Sequence, residues 1–308
     1  MRILLAGASG TLGRTLVPQL QQAGHTIVGV TRSPESAVRL RARGVQPLVA
    51  DVLDRDRFLA AVRGQRADAV VHELTALSSA PTHYRSMRAT NELRDRGTTH
   101  LLEAAVELGA TRFLTQSIVF GYGYRRTHPP LVDEDAPFGQ PEGAPTDGVH
   151  AALASTERQV LGTPGIEGIS LRYGLFYGLD APVVARMLRR QVLPVTRFEG
   201  KVPTVHHEDA AAATVAALTR GVPGSAYNVA DDTPVSWRRH MTAAARALGA
   251  PAPFVVPAWL LRASLPYAAE LMTRLDLRVT SERAHRDLGW TPRYPSVEDG
   301  WRAAAATR

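Results

Sequence analysis

Ile3-Leu4-Leu5-Ala6-Gly7-Ala8-Ser9-Gly10-Thr11-Leu12-Gly13 opens the chain with a strand, a glycine turn and a helix start, and its reading decides the fold. Four apolar residues supply a buried strand, and Arg14-Thr15-Leu16-Val17-Pro18-Gln19-Leu20 continues with apolar residues at helical spacing. Gly7 permits the tight turn, Gly10 lets a pyrophosphate approach bare backbone, and Gly13 lets the helix pack close to the strand. A helix that starts there aims its free N–H groups and the positive end of its dipole at the phosphates. The expectation is a dinucleotide site in which Ser9, Thr11, Leu12 and Arg14 join the three glycines.

Outward from this turn, residues 25–30 read as a second strand, and Ser33-Pro34 as a cap with proline at the first helical position. A short helix ends at Gly44, residues 45–50 form a third strand, 54–63 a helix and 67–72 a fourth strand. A helical region over 84–108 stops at Gly109, before a fifth strand at 111–115. This alternation predicts βαβ units and an α/β fold, a Rossmann-type doubly wound parallel sheet. From Ile118 to Gly148 the periodicity gives way to prolines, glycines and the aromatics Phe120, Tyr122, Tyr124 and Phe138, which marks a long functional loop. Helix returns at 149–161 and strand at 168–173. Beyond Asp180 the pieces shorten: helices at 183–190, 208–219, 234–248, 257–272 and 281–288, and strands at 201–205 and 226–229. Residues 1–178 are therefore expected as the dinucleotide-binding domain, including the 118–148 loop. Residues 179–308 are expected as a smaller, mostly helical lobe that closes a cleft and returns some elements to the main domain.

The 308 residues are 44% hydrophobic and 21% charged, an ordinary globular balance. The absence of cysteine excludes disulfides and thiolate metal sites and fits a cytoplasmic protein. No apolar run is long enough to span a membrane, so a soluble monomer or homodimer is expected. The net charge of +7 invites a nucleic-acid reading, but the arginines are scattered among carboxylates and no basic tract is interleaved with aromatics. Of 36 basic residues only Lys201 is lysine.

The residue closing the second strand faces the adenosine ribose in such folds. An acid there accepts hydrogen bonds from a free 2′-OH, whereas arginine attracts a 2′-phosphate. Here it is Arg32, followed by Ser33, which favours NADP(H) over NAD. Arg14 offers a second clamp, and the plain alternative is that both arginines are solvated surface charges. Asp51-Val52, after the third strand, sits where the adenine ring is held.

Gly7-x-x-Gly10-x-x-Gly13, Asp51-Val52, Gly97-Thr98 with Leu101-Leu102-Glu103-Ala104-Ala105, Leu171-Arg172-Tyr173 with Tyr177-Gly178, His206-His207-Glu208-Asp209, and Leu288-Gly289-Trp290-x-Pro292 follow one another in a specific order. In this the chain resembles, over nearly its whole length, an extended short-chain dehydrogenase/reductase of the NAD-dependent epimerase/dehydratase kind. Leu74, Thr75, Ala76, Gln116 and Tyr173, at or just beyond strand ends, are the further candidate cofactor contacts. The family's chemistry uses Tyr-x-x-x-Lys on the helix after the long loop, where the lysine lowers the tyrosine pKa and the tyrosine passes a proton. Counted back from Glu157, those positions hold Val149 and Leu153, and no Tyr-x-x-x-Lys exists anywhere in the chain. The family's strand-end serine is replaced by Gln116, with Ser117 beside it. Such departures resemble an atypical branch in which cofactor binding persists without the usual relay.

Three residues remain as candidate catalytic groups, each with a plain alternative. Ser117 either bonds a substrate carbonyl or caps the following turn. His150 either donates a proton or is a solvent-exposed residue at a helix start. Tyr122, like Tyr124, either lines an aromatic pocket or packs within its loop. His206-His207-Glu208-Asp209 lacks metal-ligand spacing, so no metal is expected. Asp133-Glu134-Asp135 reads as a solvated charge cluster, and no nucleophile elbow is present.

These readings converge on an NADPH-dependent ketoreductase for a small-molecule ketone of aromatic or polyketide type, with a proton from water or the substrate itself. The chain is similar to ketoreductases of angucyclinone antibiotic pathways. Two other readings stay open: a sugar-nucleotide epimerase or dehydratase, and a non-catalytic NADP(H) sensor or scaffold.

Overall fold

The computed structural model describes residues 1–77, 79–124 and 131–306. The chain begins with β1 (Arg2–Ala6), α1 (Gly13–Gln22), β2 (Thr26–Thr31), α2 (Pro34–Ala42), β3 (Gln46–Val49), α3 (Arg55–Val62) and β4 (Ala69–His72). One helical stretch follows, made of a 3₁₀ turn (Tyr84–Met87), α4 (Arg88–Glu92), a π-helical turn (Leu93–Gly97) and α5 (Thr98–Leu108). Then come β5 (Arg112–Ile118), α6 (Asp147–Gly162), β6 (Glu167–Tyr173), β7 (Leu175–Tyr177) and α7 (Ala181–Arg189). The chain closes with β8 (Lys201–Val202), β9 (Thr204–His206), α8 (His207–Arg220), β10 (Ser225–Val229), β11 (Val235–Ser236), α9 (Trp237–Ala247), α10 (Ala258–Ser264), α11 (Pro266–Thr273) and α12 (Val297–Ala306).

Seven strands form one parallel sheet in the order β10-β6-β5-β4-β1-β2-β3. Both faces of β1 are covered, as its unbroken apolar run requires. Ile3 and Leu5 pack with α1 and α8, whereas Leu4 and Ala6 pack with α3 and α5 on the opposite face. Burial of one such side chain, Phe58 of α3 for example, contributes about 1.5–3 kcal/mol relative to exposure. Pro18 sits inside α1 and has no N–H to give the Arg14 carbonyl one turn back. Arg43 makes up the loss, with Nη2 donating to the Arg14 oxygen at 2.8 Å and to the Gly13 oxygen at 3.3 Å.

The expected α/β class is thus the observed one, with several local corrections. The strand expected over 201–205 is two short ones: β8 pairs antiparallel with β11, and β9 pairs parallel with β7. The helix expected from residue 234 begins only at Trp237, after β11 and with Ser236 as its cap. The helix expected over 257–272 breaks at Leu265, because Pro266 cannot continue it. β7 and α12 were not anticipated, although α12 buries Val297 and Trp301 in one hydrophobic cluster with Tyr177, Leu188 and Met241. Strand β10 and helix α8 come from the second half of the chain, yet join the main sheet and its α1 face.

Glu134 is buried at 7% exposure, against the solvated cluster expected for 133–135. It turns inward because Asn228 N–H donates to its Oε1 at 2.8 Å and Arg283 stands at 3.6 Å. Behind it lies Arg172, which donates Nε to Glu157 Oε1 at 2.9 Å and Nη2 to Oε2 at 2.7 Å. Its Nη1 donates to the Tyr122 hydroxyl at 2.7 Å and to the Glu134 carbonyl at 3.2 Å, and its guanidinium lies 3.9 Å from the centre of the Phe138 ring. The Tyr122 hydroxyl donates onward to Asn228 Oδ1 at 2.8 Å. One cation on β6 thereby joins the long loop to α6 and β10. Both side chains of the Arg172–Glu157 pair are 7% exposed, so Glu157→Gln, which strands the cation, should lower the unfolding free energy by about 3 kcal/mol or more in urea denaturation. An Arg172→Met, Glu157→Gln double variant should recover part of that loss.

Candidate active site

The glycine turn has the geometry its spacing predicts. Gly7 takes φ +112°, and Gly10 N–H donates to the Gly7 carbonyl at 2.9 Å. A Cβ on Gly7 would stand 2.7 Å from the Glu73 carbonyl, and one on Gly13 would stand 2.3 Å from the Gly7 carbonyl. Leu12 is buried beneath the turn, while Ser9, Gly10 and Thr11 are exposed. An exposed stretch of bare backbone before a helix start fits a dinucleotide pyrophosphate, and any side chain at Gly7 or Gly13 would close the cradle.

Around the cradle, Arg32 follows β2 with its side chain 72% exposed, 3.9 Å from Asp51. Ser33 caps α2, its Oγ accepting from Ser36 N–H at 3.0 Å. Arg14 is engaged with Asp180 at 2.9 Å, and so ties α1 to the start of α7. Asp51 accepts from Leu53 N–H at 3.0 Å, and Val52 is buried with its carbonyl against His100 Nδ1 at 2.7 Å. Beyond β4, Thr75 and Ala76 are exposed and Ala76 N–H donates to Thr90 Oγ1 at 3.1 Å. Gln116 ties β5 to this segment through Nε2, which donates to the Leu74 carbonyl at 3.1 Å.

Tyr173 is 1% exposed, and its hydroxyl donates to Glu73 at 3.0 Å and meets Thr214 Oγ1 at 2.7 Å. Glu73 was not singled out in the sequence, although a carboxylate ending the apolar run Ala69-Val70-Val71-His72 is itself a signal. Burial pushes its carboxyl up to about 8, against the pull of the Tyr173 hydrogen bond. The carboxyl beside Gly7 is thus held toward its neutral form.

The relay positions are apolar in space as well as in sequence. Val149 and Leu153 form a buried cluster with Met87, packed by Leu77, Ile118, Phe138 and Tyr267. Ser117 is 1% exposed and its Oγ has no partner among the described residues, so it does not cap the turn. His150 is fully buried, against the exposed helix-start alternative, because its ring stacks on Tyr124 at 5.8 Å between centroids. Neither of its nitrogens is hydrogen-bonded among the described residues, and Asp147 stands 3.9 Å away. Tyr122 belongs to the Arg172 network and packs edge-on against Phe138. Tyr124 meets a residue that sequence reasoning missed, the hydroxyl of Tyr267 on α11, at 3.2 Å. Arg94, on the π-helical turn, is a second missed residue, and it is 3% exposed.

The histidine pair stands at the junction of β9 and α8. The His206 and His207 rings stand perpendicular, and the Asp209 carboxylate accepts from Arg293 N–H and Tyr294 N–H at 2.9 and 3.0 Å. Trp290 Nε1 donates to the Asp209 carbonyl at 3.0 Å, which docks the Leu288-Gly289-Trp290 segment on the start of α8. No group of three metal-ligating side chains occurs among the described residues.

Residues 3–230 match the NAD dependent epimerase/dehydratase family, and they include the glycine cradle, the sheet and the relay helix. The chain belongs to this family. It is 35% identical, over 97% of its length and 99% of the relative's, to a 3-diazoavenalumate denitrifying reductase of a Streptomyces species. It is 28% identical, over 100% of its length and 99% of the relative's, to a 2-alkyl-3-oxoalkanoate reductase of Stenotrophomonas maltophilia. It is 27% identical, over 95% of its length and 92% of the relative's, to a Stigmatella aurantiaca 4-hydroxy-2-methyl-3-oxo-4-farnesyl-3,4-dihydroquinoline-1-oxide ketoreductase. Its fold matches the human epimerase family protein SDR39U1 solved with NADPH, at a TM-score of 0.80, 19% identity and full coverage of both chains. The family member described here is an NAD(P)-dependent oxidoreductase acting on a small molecule. No helix among its described residues is long and apolar enough to cross a membrane.

Glu73 also sets a pH dependence. The unfolded chain ionises this carboxyl near its usual 4.5 and the folded chain only near 8, so between those values the folded state holds the extra proton and loses stability as pH rises. Thermal unfolding followed from pH 5 to about 8 should show this decline, and Glu73→Gln should flatten it and be the more stable protein at the alkaline end.

Proposed function

We propose that this protein is an NADPH-dependent ketoreductase which delivers hydride to the carbonyl carbon of an aromatic or polyketide-type substrate without a Ser-Tyr-Lys relay. The observation that carries the reading is the apolar cluster of Val149, Leu153 and Met87 where the relay would stand. Oxidation of an alcohol needs a base to remove its proton, and no ionisable group occupies those positions. Reduction of a carbonyl needs only a positioned acceptor and a proton that arrives afterwards from water or from a neighbouring hydroxyl of the substrate. Bound in the glycine cradle, the reduced nicotinamide would supply the hydride. Ser9, Gly10 and Thr11 would present the backbone to its pyrophosphate. Arg32, exposed at the end of β2, would meet the 2′-phosphate, with Ser33 and Asp51 beside it. Phe138, Tyr267 and Ile118, which cover Val149 and Leu153, would face the flat substrate and keep water away from the reacting carbon. Reductases of oxo compounds among the relatives support this choice.

The same apolar site favours a second reading over sugar-nucleotide epimerisation. An aryldiazonium form of the diazo group named for the Streptomyces relative would take hydride, exchange its C–N bond for a C–H bond and release dinitrogen, a step that balances with no added proton. Oxidation of NADPH and NADH should be followed with a panel of aromatic ketones and with an aryl diazo compound. NADPH should be preferred, the ketones should be consumed, and Arg32→Glu should reduce the NADPH preference about tenfold or more. Inertness toward the whole ketone panel would overturn the ketoreductase reading, and turnover of the diazo compound alone would replace it with the second.

A further inference from the structure

Arg94 is a buried cation that pairs with no carboxylate among the described residues. Its side chain is 3% exposed, and neither Nε nor Nη1 has a partner among the described residues. Burial disfavours its charge, the phenols of Tyr267 and Tyr124 offset this in part, and the cation in turn pushes His72 down; a carboxylate is not among these groups. Segment 125–130, Arg-Arg-Thr-His-Pro-Pro, carries no acidic side chain to supply one. Arg172, equally buried, shows what a satisfied guanidinium looks like in this protein: a bidentate carboxylate, a phenol and a carbonyl. A dry guanidinium left without such partners is costly, and it attracts an anion that can reach it.

Its surroundings are aromatic. The Tyr124 and Tyr267 hydroxyls stand 3.2 Å apart, Tyr84 meets Tyr267 edge-on at 5.7 Å, and Tyr124 stacks on His150. Glu270 also acts on both phenols, but it is already occupied, accepting from the Tyr84 hydroxyl at 2.6 Å and pairing with Arg274 at 3.2 Å. Tyr267 also packs on the Val149–Leu153 cluster, so the cation and the apolar relay positions share this one tyrosine. Tyr267 and Tyr84 are the partly buried members of this cluster, whereas Arg94, Tyr124 and His150 are buried.

We propose that Arg94 anchors a carboxylate of the substrate, and that this site selects aromatic or conjugated acids. The guanidinium and the one phenol proton left free by the Tyr124–Tyr267 hydrogen bond supply the donors that the two oxygens of a single carboxylate accept, and the tyrosine rings cover a flat conjugated body. The proposal deepens the reductase reading and rests on it for the position of the reducible group. The anchor itself is read by binding alone.

The test uses the full-length protein loaded with NADP⁺, so that nothing turns over, and titrates it with trans-cinnamate and with methyl cinnamate by calorimetry. Cinnamate should bind about tenfold or more tighter than its ester. Arg94→Met should abolish that difference, and Arg94→Lys should keep part of it. NADP⁺ affinity should be unchanged in both. Cinnamate should raise the melting temperature of the wild type and leave that of Arg94→Met unmoved, while Arg94→Met without ligand should melt no lower than the wild type. Equal binding of acid and ester, no binding of cinnamate, or an Arg94→Met protein that still prefers the acid would overturn the anchor. The acid-to-ester ratio of the wild type decides the matter even if a variant fails to fold. A protein that binds cinnamate through Arg94 yet reduces no acceptor keeps the anchor and loses the reductase reading. Turnover of neutral ketones with no preference for acids does the reverse.

Discussion

The pairing of Arg172 with Glu157 is the contact on which the site depends. Both side chains are almost wholly buried, so each charge is tolerable because the other is fixed within hydrogen-bond distance. Arg172 comes from a sheet strand and Glu157 from the relay helix, and the remaining guanidinium donors go to the aromatic loop. The register of helix against sheet and the path of the loop are therefore set together. A loop rich in glycine and proline has little local reason to adopt one shape. Here it is given one by a cation at its base.

Legibility in the sequence followed the range of the forces involved. The Gly7–Gly13 cradle, the Ser33-Pro34 start of α2 and the Gly109 stop of α5 are backbone constraints expressed within a few residues, and each was readable directly. The order β10-β6-β5-β4-β1-β2-β3 was legible as a class, because helices alternating with apolar strands have few other solutions. What failed was everything settled by a partner far along the chain. His150 is buried by Tyr124 and Glu134 by Asn228, and no local pattern announces either contact. Helix α12 went unread because Gly300 weakens its propensity, and its stability comes from docking Trp301 against Tyr177 and His240. Tyr267 reaches Tyr124 across 143 positions, so the loop aromatics were readable in the sequence but their partner on α11 was not.

The resulting molecule separates two tasks that the family usually joins. The cradle is built by glycines whose replacement would collide with backbone, and it is intact. The relay helix has become a packing surface, with Leu153 fully buried and Val149 nearly so. A low-polarity floor of this kind strengthens whatever electrostatic contact is made above it. Two ionisable groups there are held against water: a carboxyl beside Gly7 that burial pushes toward its neutral form, and the buried Arg94 guanidinium.

The place of β10 at the edge of the sheet has a consequence for how the chain is made. When residue 178 has left the ribosome, six of the seven strands exist, but β6 still presents a bare edge of unpaired N–H and C=O groups. The strand that covers this edge, Ser225–Val229, is some fifty residues further on, and it carries Asn228, which holds both Tyr122 and Glu134. During synthesis the nucleotide-binding half thus passes through a stage that is nearly complete and open to pairing with a stranger. One late strand ends that exposure and sets the aromatic loop in the same step.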